Sequence, residues 1–229
     1  MTSSPTFELF GTAHLLVLTG TLALALLTTR SPERTDVGGL ARLMAWVLLF
    51  TAVLKPILYL GIYDQPVAES LPLNLCRINE FFCAYMLLAR SYRMFEIAYF
   101  LSIAGSTTAL LTPDLLQGFP DPRFVTFFLG HGLSVIAVFY AVFGFGFRPT
   151  LRSVGKIMVF LAIYTAAMAA INLLLDSNYL FLSAKPEGAS ILDFLGPWPV
   201  YVLAMFSIAV IACFLCYLPF ATRRKQPPG

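Results

Sequence analysis

Long apolar runs separated by short polar breaks set the pattern of the chain, at 8–27, 40–62, 71–89, 95–111, 124–145, 155–175 and 198–218. Each approaches the roughly twenty residues that a helix needs to cross the hydrocarbon of a bilayer. The apolar positions are continuous rather than alternating, and each run is about twice the length of a barrel strand. Only helices and closed barrels satisfy their backbone groups in lipid, so the pattern predicts seven transmembrane helices. The fold class is therefore all-α: a polytopic membrane protein with a single bundle of seven transmembrane helices.

Composition agrees. Hydrophobic residues make up 59% of the 229 positions and charged residues only 12%, about half the charged fraction of an ordinary soluble domain. Placing the amino terminus outside puts Arg30, Arg34, Arg42, Arg90, Arg93, Arg148, Arg152, Lys156, Arg223, Arg224 and Lys225 on the inner side. That leaves Arg123 and Lys185 outside, and Lys55 and Arg77 within spans. Under the positive-inside rule this bias of eleven against two predicts an outer amino terminus and a cytoplasmic carboxyl terminus in the cell membrane. The net charge of +3 is thus an orientation signal and implies no nucleic-acid partner. No basic segment precedes the first run, so no removable signal peptide is expected. Short loops, and no linker or internal repeat, predict one domain over 1–229. The long connection 176–197 is apolar enough to fold back over the outer mouth.

A charged side chain inside a bilayer costs roughly 2.5 to 3.5 kcal/mol even on lenient insertion scales, so each intramembrane polar residue calls for a partner or a task. With ~1.5 Å of rise per residue, His14, Lys55, Cys76 to Glu80, His131 and Asn172 all fall in the outer half of their spans. One shared level predicts one polar cavity open to the extracytoplasmic side. Glu96 alone falls at an inner end, beside Arg90 and Arg93. In the third run Cys76, Asn79, Glu80 and Cys83 recur at helical spacing and form one stripe, flanked by Asn74 and Arg77. Pro72 is expected in the first turn of that helix, where its missing N–H does no harm. Arg77 and Glu80 are expected to pair with each other or to join a network with Lys55.

A membrane cysteine is ordinarily a small apolar filler, which is the reading for Cys83, Cys213 and Cys216. Cys76 differs because a neighbouring guanidinium favours the reactive thiolate. Both histidines of the chain share its depth, and a histidine within reach of a cysteine is the nucleophile-and-base arrangement of covalent catalysis. The competing reading for each histidine is a helix–helix hydrogen bond with no chemistry. His14, Cys76, Glu80 and His131 show no metal-ligand spacing, so neither a metal nor another cofactor is implied.

The stretch Leu71-Pro72-Leu73-Asn74-Leu75-Cys76 resembles the Leu-Pro-Leu-His-Leu-Cys signature of YwaF-like bacterial integral membrane proteins, which are similar to the transmembrane protein 164 acyltransferase family of animals. Thr12-Ala13-His14-Leu15, Gly130-His131-Gly132, and Asn178-Tyr179-Leu180-Phe181-Leu182 followed by Lys185-Pro186 add to the resemblance. It implies a polytopic enzyme that moves fatty acyl chains between phospholipid and lysophospholipid, with Cys76 as nucleophile and His131 assisting. His14, Lys55, Asn74, Arg77, Asn79, Glu80, Asn172, Asn178 and Lys185 are the candidate supporting or substrate-binding residues. Two departures stand out. Asn74 occupies the place of a histidine, and Arg77, Asn79 and Glu80 make the stretch after the cysteine more polar than the signature.

Water as acceptor makes the same site a lipase. A transporter or ion-binding protein using the buried charges without covalent chemistry is the competing class, but it calls for polar residues at inner depth too. A seven-helix receptor fits the topology and lacks inner loops long enough for a partner.

Overall fold

A computed structural model of the chain describes residues 5–30, 38–185 and 191–221. Arg34, Arg223, Arg224 and Lys225 of the charge argument, and Pro186, lie outside the described residues. Seven helices carry the described chain: α1 Thr12–Thr28, α2 Gly39–Gly61, α3 Leu75–Ala89, α4 Tyr92–Leu111, α5 Pro122–Gly144, α6 Leu151–Leu175 and α7 Val200–Ala221. The described residues hold no strand, only an isolated bridge between Thr6 and Gln117. The chain forms two compact units, with α1 to α5 in the first and α6 and α7 in the second.

Five helices, α2, α4, α5, α6 and α7, are long and apolar enough to cross a membrane. The 17 residues of α1 are apolar but span only ~25 Å. The third run departs furthest from expectation, because its helix begins at Leu75 rather than at 71 and has 15 residues. Pro72 is therefore not in its first turn. The residue before a proline is pushed out of the helical region, and Leu71 accordingly sits at ψ 143°, with Asn74 still extended at ψ 141°.

In the first unit α5 is the most enclosed span, with 72% of it buried against 39% for α2 and 44% for α4. Asp121 caps it by accepting the Arg123 N–H at 2.8 Å, and Pro122 takes the first helical position. Helix α2 turns Ala41, Ala45, Leu48 and Ala52 toward the interior, all fully buried. This stripe of small residues lets it lie close against α3, its main neighbour. The seam of α1, α4 and α5 is aromatic: Phe124 and Phe128 meet at 4.6 Å, and Phe7, Leu110 and Val135 pack around them. Arg90 and Ser91 alone connect α3 to α4. Arg90 adopts the left-handed conformation (φ 46°, ψ 41°), its N–H and that of Ser91 both close on the Met86 carbonyl, and the Ser91 hydroxyl accepts the Met94 N–H. Within α4, Leu101–Ser106 widens to a π turn, a feature that often accompanies functional sites.

In the second unit Thr150 and Ser153 form a capping box at the start of α6. Only 22% of its span and 11% of that of α7 are buried, and Leu173, Leu174 and Leu203 are among the exposed side chains, an apolar surface suited to lipid. Polar groups bond the first, described part of the connection between these helices. Asn172 donates to the Tyr179 carbonyl at 3.0 Å and accepts the Tyr179 N–H at 2.8 Å. Asn178 accepts the N–H groups of Ser183 and Ala184 and donates to the Ala184 carbonyl. The Tyr201 hydroxyl donates to the Phe181 carbonyl, and Lys185 lies over the Tyr201 ring at 5.5 Å.

Candidate active site

Three helices of the first unit meet at one buried ion pair. Lys55 of α2 donates to Glu80 Oε1 of α3, and Thr51, one turn before Lys55, places its hydroxyl 3.0 Å from Glu80 Oε2. Lys55 is 5% exposed, Glu80 and Thr51 1% each. The third wall is the backbone of α5. A Cβ placed on Gly130 would run into the Glu80 carboxylate and lie 2.7 Å from Lys55 Nζ, so any larger residue there would force the pair to shift.

The reactive candidates flank it. Cys76 is four residues before Glu80, hence one turn away on the same face of α3, and it is partly exposed. His131 follows Gly130. Both adjoin the pair along the chain, Cys76 one turn before Glu80 and His131 next to the glycine that abuts Lys55 Nζ. His131 Nδ1 lies 2.7 Å from the Phe127 carbonyl. A carbonyl only accepts, so Nδ1 carries the hydrogen and a neutral ring presents a lone pair at Nε2. Among the described residues Nε2 has no partner.

The remaining sequence candidates divide. Arg77 does not pair with Glu80. Helical side chains lean toward the amino terminus, and Arg77 reaches back to donate to the Ser70 carbonyl at 2.9 Å while lying 4.7 Å over the Tyr59 ring. Asn79 donates to the Ser102 hydroxyl at 2.9 Å, and Cys83 lies 3.5 Å from the same oxygen. Ser102 lies within the π turn of α4 and is fully buried. Asn74 stands at the start of α3 without capping it. His14 spends both ring nitrogens on backbone, accepting the Phe10 N–H at 2.9 Å and donating to the Leu110 carbonyl at 2.8 Å, among Phe7, Phe10 and Phe128. A cavity of about 260 Å³ opens beside it, lined by Phe7, Glu8, Phe119 and Phe124 among others, and Cys76 does not line that cavity. Asn172, Asn178 and Lys185 belong to the second unit, where they order its loop.

Sequence reasoning missed Thr51, Gly130 and Ser102. The first had a signal, since Thr51 and Lys55 are one turn apart. Gly130 had a weaker one, as a glycine beside the lone His131. Ser102 had none, because a lone serine in an apolar run does not show which way it faces.

A multi-pass helical membrane protein with a charged pair sealed among three of its helices is the class these features define. Residues 9–218 match the model of the TMEM164 family, and the chain belongs to that family. Comparison with curated proteins and with solved structures gave no match.

Proposed function

We propose that the protein is a membrane-embedded acyltransferase that moves a fatty acyl group from phospholipid to lysophospholipid through Cys76, with His131 as its base. The observation that carries this reading is the 2.7 Å contact of His131 Nδ1 with the Phe127 carbonyl: it holds the proton on Nδ1 and leaves a lone pair at Nε2, on a residue next to the glycine that abuts the Lys55–Glu80 pair, one turn from which stands Cys76. Membership of the TMEM164 family supports a membrane-lipid enzyme.

In the proposed reaction His131 Nε2 takes the thiol proton as Cys76 Sγ bonds to the ester carbonyl carbon, whose π electrons move onto oxygen. Collapse of that oxyanion breaks the carbon–oxygen ester bond, and His131 returns the proton to the departing lysolipid oxygen. The acyl thioester then meets a second lysolipid hydroxyl and the steps reverse. With water as acceptor the same site hydrolyses lipid. The charge bias of the loops supports an outer amino terminus, so the site works from the outer leaflet of the cell membrane.

The test is exchange of a fluorescent acyl chain from phosphatidylcholine to lysophosphatidylethanolamine, in vesicles of phosphatidylethanolamine and phosphatidylglycerol holding the purified protein. Cys76→Ala and His131→Ala should each abolish exchange, and Cys83→Ala should retain it. Parental exchange by Cys76→Ala overturns the assignment.

A further inference from the structure

The buried pair has an asymmetry that packing does not require. Both Glu80 oxygens are engaged, one by Lys55 and one by Thr51. The ammonium can donate three hydrogen bonds, and among the described residues Glu80 is its one partner. Unmade hydrogen bonds on a buried charge are unfavourable, and an apolar pair of similar volume often holds helices together as well or better. The fold also accepts a glycine in mid-helix at 130 so that the pair can lie against α5. Polar groups that break local rules at such a cost are expected where they have a task.

We propose that Lys55 is a further catalytic residue of this site: its free N–H donors face the carbonyl oxygen of the ester attacked by Cys76 and hold the negative charge that develops there. Glu80, Thr51 and Gly130 are positioning residues for Lys55. The inference rests on the acyl-transfer reading and deepens it. Donors fixed in advance toward an oxyanion, in a site screened from water, are commonly the largest contribution to such catalysis. The arrangement meets that requirement. Glu80, itself bonded by Thr51, fixes the ammonium from one side, Cys76 lies one turn before Glu80 on α3, and His131 is next to the glycine that abuts Nζ. The charged groups that act on the thiol are Lys55 from α2 and Arg77 and Glu80 from α3, and the same Lys55 acts on His131 of α5. Arg77 is turned toward the Ser70 carbonyl and Tyr59, which leaves Lys55 as the cation of the three-helix centre.

The experiment compares the parent with the double variant Lys55→Met/Glu80→Leu, which replaces the pair with apolar groups and leaves no charge behind. Thermal stability in detergent, kcat and KM for acyl exchange, and the rate at which Cys76 becomes acylated, read by peptide mass, are measured together. A purely structural pair predicts an unchanged rate once the variant is folded. The proposal predicts a melting temperature near the parent's, a fall of roughly 100-fold or more in kcat and in Cys76 acylation, and a nearly unchanged KM. If the double variant does not fold, Lys55→Met/Glu80→Gln keeps a partner for Thr51 and takes its place. A folded variant that acylates Cys76 at the parental rate, with Cys76→Ala inactive, overturns the role of Lys55 and leaves the acyl-transfer reading standing. A parent no more active than Cys76→Ala overturns both.

Discussion

Gly130→Ala puts one methyl group where three helices converge. Its Cβ would meet the Glu80 carboxylate, lie 2.7 Å from Lys55 Nζ and 2.8 Å from Glu80 Cδ. Flexible side-chain ends normally yield, but here they are the two halves of a buried ion pair. Moving Glu80 away strains its contacts with Lys55 and Thr51, and moving α5 opens the contact with α3. Overpacking of this kind costs ~1–3 kcal/mol, and breaking a buried pair outright costs ~3–5 kcal/mol. Alanine recovers ~0.5–1 kcal/mol over glycine in mid-helix, so a net loss of ~2–3 kcal/mol is expected. For a chain of this size that is a fall in melting temperature of roughly 5–10 °C, taking ~2–4 °C per kcal/mol. The assay is tryptophan fluorescence on heating in detergent, with Gly20→Ala as control, since a Cβ at Gly20 meets nothing within 4 Å. A Gly130→Ala protein that melts with the parent, or rises with the control, refutes the geometry on which the site rests.

Glu80→Leu alone strands the Lys55 ammonium in the interior and should cost ~3–5 kcal/mol, a much larger thermal shift than that of Lys55→Met/Glu80→Leu; equal shifts in the two proteins count against the pair. His14→Phe keeps the aromatic packing but leaves the Phe10 N–H and the Leu110 carbonyl without their partner, so melting should fall by ~1–3 kcal/mol of stability while acyl exchange by the folded fraction stays parental. At the end of α2, burial first and then the Asp121 carboxylate, 3.2 Å away, hold the Tyr63 hydroxyl above its ordinary pKa. A raised value means that Tyr63 contributes stability below about pH 10, its unfolded range, and that this is lost as pH rises through the folded value. Asp121→Asn should therefore bring the Tyr63 step in an ultraviolet phenolate titration to lower pH, and a step left in place contradicts the contact.

The long apolar runs made the helices legible, because a bilayer admits few ways of satisfying the backbone. The third run was misjudged at its start for a local reason: Pro72 forbids helix at Leu71, and a hydropathy pattern does not register that. The pairing of Lys55 with Glu80 was also legible, since a buried charge demands a partner and few were available. The choice between Lys55 and Arg77 was not. It depends on the lean of helical side chains toward the amino terminus, which sends Arg77 away from Glu80 to the carbonyl of Ser70. Matching depth was too coarse a guide for His14 and Asn172. Depth says nothing of azimuth, and His14 turns to Leu110 while Asn172 closes the end of its own helix.

The two polar centres of α3 bear differently on the site. Asn79, Ser102 and Cys83 form a neutral set in which the Asn79 amide donates to the Ser102 hydroxyl and the Cys83 thiol lies against both. A neutral network of this kind fixes the register of α3 against α4, and a structural role accounts for it fully. The other centre starts from Glu80, one residue further along α3, and takes Lys55 and Thr51 from α2; among the described residues Glu80 is the one partner of the Lys55 ammonium, and the pair lies against a glycine on α5. A neutral network is enough to hold two helices together, and a buried ion pair goes beyond that need. The charged one adjoins the partly exposed cysteine and a histidine whose Nε2 has no partner among the described residues, and the neutral one surrounds a cysteine that solvent does not reach. That contrast between Cys76 and Cys83, seven residues apart on one helix, is the physical ground for assigning chemistry to the first and packing to the second.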